Sequence, residues 1–196
     1  MDTLEDLKRA GGQITSYRIT PEHRRGMLKK HIAEKGFVRA IEAHNGMSGI
    51  IANTTMLPDK SSFDALWISS LTESAVKGQP DIEIMGFDSR LATVAEVMEV
   101  TNIPIIIDGD TGGDPNAFEY LVRKAEAMGA SAVIIEDKVY PKRNSLDAES
   151  RQELADPKEF AAKIRRGKDA QLTEDFMVIA RLRAAQRGSL EHPAPS

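Results

Sequence analysis

The chain has 196 residues, 41% of them hydrophobic and 29% charged, with 30 acids against 26 bases and a formal net charge of −4. That length suits one domain with a sizeable core, and the acidic balance excludes the basic footprint of a nucleic-acid binder. The lack of cysteine excludes a disulfide scaffold, a zinc ribbon and a thiol nucleophile.

Residues 1–35 form a polar N-terminal segment whose start, MDTLEDLKRAGG, shows no signal peptide. Within it TPEHRRGMLKKHIAEKG reads as a helix, with Thr20 as N-cap, Pro21 at the first helical position and Gly36 at the stop. FVRAIEA (37–43) is short, apolar and bounded by Gly36 and a His44-Asn45-Gly46 turn signal, so it predicts a buried strand. A weak helix is predicted over 49–56, a second strand at FDALWIS (63–69) and a helix over 91–100. IPIIID (103–108) is the clearest strand, a β-branched run buried on both faces and far too short to span a bilayer. A helix over 116–128 ends at Gly129, and SAVIIED (131–137) is the fourth strand. The polar stretch 138–156 shows little periodicity; a helix over 157–166 leads to a fifth strand at FMVIAR (176–181). The tail 186–196, with two prolines and no apolar period, reads as disordered. Strands alternating with helices predict a parallel sheet in one α/β domain over 36–185, soluble and cytoplasmic. A doubly wound sheet and a (β/α) barrel both fit.

Polar groups gather where the predicted strands end. The third strand ends in Asp108, followed by Gly109, Asp110, Thr111, Gly112 and Gly113; the fourth ends in Glu136, Asp137 and Lys138; the fifth ends in Arg181; the second ends in Ser69 and Ser70. In both architectures that rim carries the active site. Asp108 and Asp110, two apart, point the same way if the strand continues, and with Glu136 they offer an oxygen-rich site suited to Mg²⁺. Such acids also cap following helices, the bland reading of any one of them. Cations beside the acids (Lys138, Lys142, Arg143, Arg181) call for a phosphate- or carboxylate-bearing substrate. By themselves, Lys142 and Arg143 read as a solvated loop. No GxGxxG occurs, and Gly167-Lys168 lacks the upstream glycine of a P-loop. The four histidines show no zinc spacing. His44 reads first as a turn residue and second as an acid–base group. Trp67 and the methionines read as core.

In order along the chain, EAHNGMSG (42–49), WISSLTESAVKGQPD (67–81), DGDTGG (108–113), EDKVYPKRNSL (136–146), ELADPKEFAAKI (153–164) and VIAR (178–181) resemble the phosphoenolpyruvate mutase branch of the isocitrate lyase/phosphoenolpyruvate mutase superfamily. The resemblance runs from about residue 37 to 184. It implies a (β/α) TIM barrel, Mg²⁺, and a small-molecule substrate, phosphoenolpyruvate or phosphonopyruvate, interconverted with formation of a carbon–phosphorus bond. The lyase branch carries a catalytic cysteine that this chain lacks. Phosphonopyruvate hydrolase, a close relative, tends to carry Thr where this chain has Asn144, which tips the reading toward mutase.

By motif, the resemblance makes Asp108 the direct metal ligand, with Asp110 and Glu136 acting through metal-bound water. Asp81 lies near the transferring phosphoryl group. Ser69, Ser70 and Leu71 bind the pyruvyl carboxylate and enolate; Ser70 stands where a Gly is usual. Lys142, Asn144, Ser145 and Arg181 hold the phosphoryl group, the first three from a closing loop. The family continues for about three more β/α units, and five strands do not close an eight-stranded barrel. The chain therefore reads as a truncated barrel: either a non-catalytic remnant, or an enzyme whose edges are covered in a homo-oligomer.

Overall fold

The computed structural model describes residues 19–143 and 153–183. Helices and strands alternate along them: α1 (Pro21–Lys35), β1 (Ala40–Glu42), α2 (Gly46–Thr54), β2 (Ala65–Ile68), α3 (Ser70–Val76), α4 (Phe87–Glu99), β3 (Ile105–Asp108), α5 (Pro115–Met128), β4 (Ala132–Glu136), α6 (Pro157–Ala170) and β5 (Met177–Arg181). The five strands form one sheet in chain order, and every neighbouring pair is parallel. A doubly wound sheet reverses its strand order part-way. This one does not, so the arrangement is an arc of barrel wall.

The local chemistry explains the helix ends. Thr20 Oγ1 accepts from His23 N at 3.3 Å, and Gly36, in the left-handed region at φ 76°, closes α1. Asn45 and Ser48 cap α2 reciprocally: Ser48 N donates to Asn45 Oδ1 at 2.8 Å and Asn45 N to Ser48 Oγ at 3.1 Å. This box starts α2 at Gly46, ahead of the expected residue 49. Asp114 and Asp156 cap α5 and α6, each with proline in the first turn. Helix α4 begins at Phe87, before the expected 91, and α6 runs on to Ala170. Helix α3 was not anticipated; its seven residues, SLTESAV, are too few to display a period. Gly167 lies inside α6, where an added Cβ would collide with the Phe118 ring. It serves the close approach of α5 and α6, not a phosphate loop.

Strand alternation divides the apolar residues between two faces. Leu66, Ile68, Ile105, Ile107, Val133 and Ile135 pack outward against helix residues such as Val94, Phe118, Leu121 and Phe160. Ala65, Ile106 and Ala132 lie on the inner face with the half-buried Trp67, Ile134 and Ile179, and Leu28 of α1 packs on them. Met47 and Met56 are exposed, against the expectation that the methionines are core. Helix α1 covers the N-terminal end of the sheet. Arg24 Nη2 donates to the carbonyls of Met98 (3.1 Å) and Thr101 (2.5 Å), and Ser131 Oγ donates to the Arg24 carbonyl at 2.7 Å. The C-terminal end is left for chemistry. Among the described residues, no helix is long and apolar enough to cross a membrane.

Gly109 follows β3 and lies against β4. A Cβ there would lie 2.9 Å from both Ile135 Cγ2 and Val133 Cγ2 and 3.2 Å from the Ile134 carbonyl oxygen. Gly109→Ala is therefore expected to lower stability by about 1–3 kcal/mol, the usual cost of overpacking, read from the urea midpoint.

Candidate active site

The inner-face alternation carries Glu42, Asp108, Glu136 and Arg181 to the C-terminal rim of the sheet. The expectation that Asp108 and Asp110 align along one strand fails in detail. Strand β3 stops at Asp108, and Asp110 turns into the left-handed region at φ 54°. The two still meet, because Asp110 N donates to Asp108 Oδ1 at 3.0 Å. Glu136 N donates to the Asp110 carbonyl at 2.7 Å and ties this turn to β4.

The ammonium of Lys142 gathers residues of three distant motifs. It lies 2.8 Å from Asp81 Oδ1, 2.6 Å from Asp110 Oδ1 and 3.0 Å from Ser70 Oγ. Ser70 Oγ donates onward to Asp108 Oδ2 at 3.1 Å. Lys142 is 4% exposed, so it belongs to this cluster and not to a solvated loop; Arg143 is exposed as expected. Behind the cluster, Arg90 of α4 reaches through from the outer layer. Its Nη1 donates to Asp110 Oδ2 at 2.8 Å and to the Asp108 carbonyl, and its Nε to Glu73 Oε2 at 2.8 Å.

A second group forms beside it. Glu136 Oε2 accepts from Arg181 Nη2 at 2.6 Å, with Arg183 Nε at 3.6 Å; Glu136 Oε1 lies 3.5 Å from Lys138 Nζ. Glu83, also left-handed at φ 62°, joins three loops. It accepts from Thr111 N (3.1 Å), Thr111 Oγ1 (2.7 Å) and Lys142 N (3.0 Å). Strained backbone of this kind concentrates at functional sites. Ser69 is the buried N-cap of α3, and Leu71 is partly exposed in its first turn. His44 Nδ1 stands 3.2 Å from both oxygens of Glu42, and Thr72 Oγ1 donates to Glu42 at 2.5 Å. Asn144 and Ser145 lie outside the described residues.

Burial pushes the Asp108 carboxyl upward, and the Asp110 charge adds to this. Burial opposes Asp110 as well, but Arg90 and Lys142 outweigh it and hold that carboxyl below its ordinary range. Burial likewise disfavours the Lys142 ammonium, yet Asp110 and Asp81 hold its pKa above the ordinary lysine value. Desolvation raises Glu83 despite its hydrogen bonds. The two neighbouring aspartates are thus pushed apart in acidity by unequal access to the cations.

Among the described residues no three His, Asp or Glu side chains converge on a ready metal cage. Two buried carboxylate oxygens, Asp110 Oδ1 and Glu136 Oε1, take no hydrogen bond of regular geometry. Such a donor set fits Mg²⁺, which takes one or two carboxylates and completes its shell with water and substrate oxygens.

The family model described as phosphoenolpyruvate phosphomutase matches residues 28–193. The chain belongs to the phosphoenolpyruvate phosphomutase family. The phosphoenolpyruvate phosphomutase of Tetrahymena pyriformis is 41% identical over 158 residues, 80% of this chain and 51% of that protein. Among solved structures, the phosphoenolpyruvate phosphomutase of Streptomyces platensis subsp. rosaceus superposes with a TM-score of 0.73 at 39% identity, covering 81% of this chain and 53% of that one. A phosphonopyruvate hydrolase solved with oxalate and Mg²⁺ superposes with a TM-score of 0.69 at 30% identity, covering 87% and 55%. The chain thus spans about half the length of the relatives it matches, and those relatives are enzymes.

Within this phosphomutase-family site, sequence reasoning missed Glu73, Glu83 and Arg90. Arg90 sits just before the helix predicted at 91, where a lone arginine reads as surface. An apolar period on α4 that includes position 90 among Leu91, Val94 and Val97 was the available signal. Burial works against Glu73 too, but hydrogen bonds from Lys77 and Arg90 hold it below the ordinary glutamate value of 4.5. Its contribution to stability is therefore complete above that value and is lost as the pH falls through the lower folded one. Glu73→Gln is expected to cost about 1.5–3 kcal/mol at pH 7. In urea unfolding followed against pH, the gap from the unaltered chain should close in acid below the ordinary value.

Proposed function

We propose that this chain is a Mg²⁺-dependent phosphoenolpyruvate phosphomutase, interconverting phosphoenolpyruvate and phosphonopyruvate within a cytoplasmic homo-oligomer. The observation that carries the reading is the Lys142 ammonium held between Asp81 and Asp110 and bonded to Ser70. Three separate family motifs, 67–81, 108–113 and 136–146, meet there at one charge.

In this reading Ser69, Ser70 and Leu71 bind the pyruvyl carboxylate and enolate at the first turn of α3. Lys142 and Arg181, with Asn144 and Ser145, spread the charge of the phosphoryl group as its bond to the enol oxygen breaks and its bond to carbon forms. Asp81 faces the same ammonium and sets where the phosphoryl group lies. Asp108, with Asp110 and Glu136 beside it, holds Mg²⁺, which when bound supplies positive charge that stabilises an enolate oxygen. Glu83 keeps the three loops together, so the groups are oriented before substrate arrives. Water must be excluded, because a metaphosphate-like group that meets water is hydrolysed. The likeness to phosphonopyruvate hydrolase makes that hydrolysis the second reading; Asn144 favours the mutase.

The test is phosphorus NMR of the purified chain with phosphonopyruvate and Mg²⁺. Phosphoenolpyruvate is the expected product; Asp81→Ala should slow its appearance about a hundredfold or more, and EDTA should abolish it until Mg²⁺ is restored. Inorganic phosphate with pyruvate would establish the hydrolase instead. A folded chain that releases neither would overturn the catalytic reading.

A further inference from the structure

The two oxygens of Asp110 are used differently. Oδ2 is taken from behind by Arg90 Nη1 at 2.8 Å, while Oδ1 is turned to the Lys142 ammonium at 2.6 Å and takes no regular hydrogen bond. The same Arg90 nitrogen also donates to the Asp108 carbonyl, so one guanidinium spans the turn that separates the two aspartates. That turn needs holding, because Asp110 sits in the left-handed region at φ 54°. Arg90 is itself fixed. It is 1% exposed, and its Nε donates to Glu73 Oε2, a carboxylate equally buried that also takes Lys77 Nζ at 2.6 Å. A guanidinium suits this place because its planar fork meets several acceptors at set angles, which an ammonium does not.

We propose that Arg90, braced by Glu73, is a positioning residue: it grips one oxygen of Asp110 and the Asp108 carbonyl, and thereby aims the other Asp110 oxygen into the Asp81–Asp108–Lys142 cluster. Neither residue touches the reacting atoms. The proposal rests on the reading of that cluster as a Mg²⁺-dependent site, and it deepens that reading by placing the control of the site's geometry in the outer helical layer, on α3 and α4.

The test is Mn²⁺ binding to the metal-stripped full chain with oxalate present, followed by electron paramagnetic resonance, alongside KM and kcat with phosphonopyruvate. Three variants are compared: Arg90→Lys, which keeps the charge and loses the fork; Glu73→Gln, which only loosens the brace; and the double variant Glu73→Met with Arg90→Met. The double variant replaces both buried partners with apolar groups, so neither Glu73 nor Arg90 is left as a buried charge facing an uncharged partner. Arg90→Lys is expected to weaken Mn²⁺ binding ten- to a hundredfold, the usual effect of losing a residue that orients a metal-binding group. The double variant should unfold cooperatively and yet bind Mn²⁺ as weakly, and Glu73→Gln should fall between it and the unaltered chain. A folded double variant, or a folded Glu73→Gln should the others fail to fold, that binds Mn²⁺ as the unaltered chain does reduces Arg90 to a structural ion pair and overturns the proposal. An unaltered chain that binds no Mn²⁺ overturns the metal reading and the proposal with it.

Discussion

Carboxylates crowded at one end of a sheet repel one another, and burial makes each of them costlier to ionise. Asp81, Asp108, Asp110 and Glu136 are all buried at the same rim. What makes the arrangement possible is the interleaving of cations: Lys142 between Asp81 and Asp110, Arg90 behind Asp110, Arg181 on Glu136. Each cation comes from a different element, α4, the segment after β4, or β5, so the rim is assembled only when the whole arc is folded. The same charges that satisfy the acids are those an anionic substrate would meet.

The fold serves this rim by keeping everything else away from it. Helix α1 covers the opposite end of the sheet through Arg24 and Ser131, and the outer helices take up the apolar side of every strand. The small side of Gly109 lets β3 and β4 come close enough for the Asp110 turn to pair with Glu136 N. Glu83 then stitches the loop bearing Asp81 to those bearing Thr111 and Lys142. The result is a set of loops carried on a rigid wall, the usual division of labour in barrel enzymes.

In the described residues, β1 and β5 each pair with one neighbour. The inner face between them carries Ile134 and Ile179, partly buried, beside the polar groups of the rim. Unpaired strand edges and partly covered apolar rows are surfaces that proteins cover with further chain or a partner, in keeping with a chain that spans about half the length of its relatives.

Much of this was legible in the residues themselves. The continuous β-branched run IPIIID, the prolines and aspartates at helix starts and the glycines at helix ends each act over a few neighbouring residues, so they determine strands and caps by local chemistry alone. The same locality explains why Asp108, Glu136 and Arg181 could be placed on one rim: each ends a strand, and parallel strands end on one side. Lys142 was legible by family likeness, though its own surroundings in sequence read as solvated loop. What only the tertiary structure decided is who neutralises whom. The choice of a barrel arc over a doubly wound sheet depends on strand order, which no local pattern encodes. The roles of Arg90, Glu73 and Glu83 depend on side chains that meet across separate elements, and burial turns them from ordinary surface charges into the supports of the site.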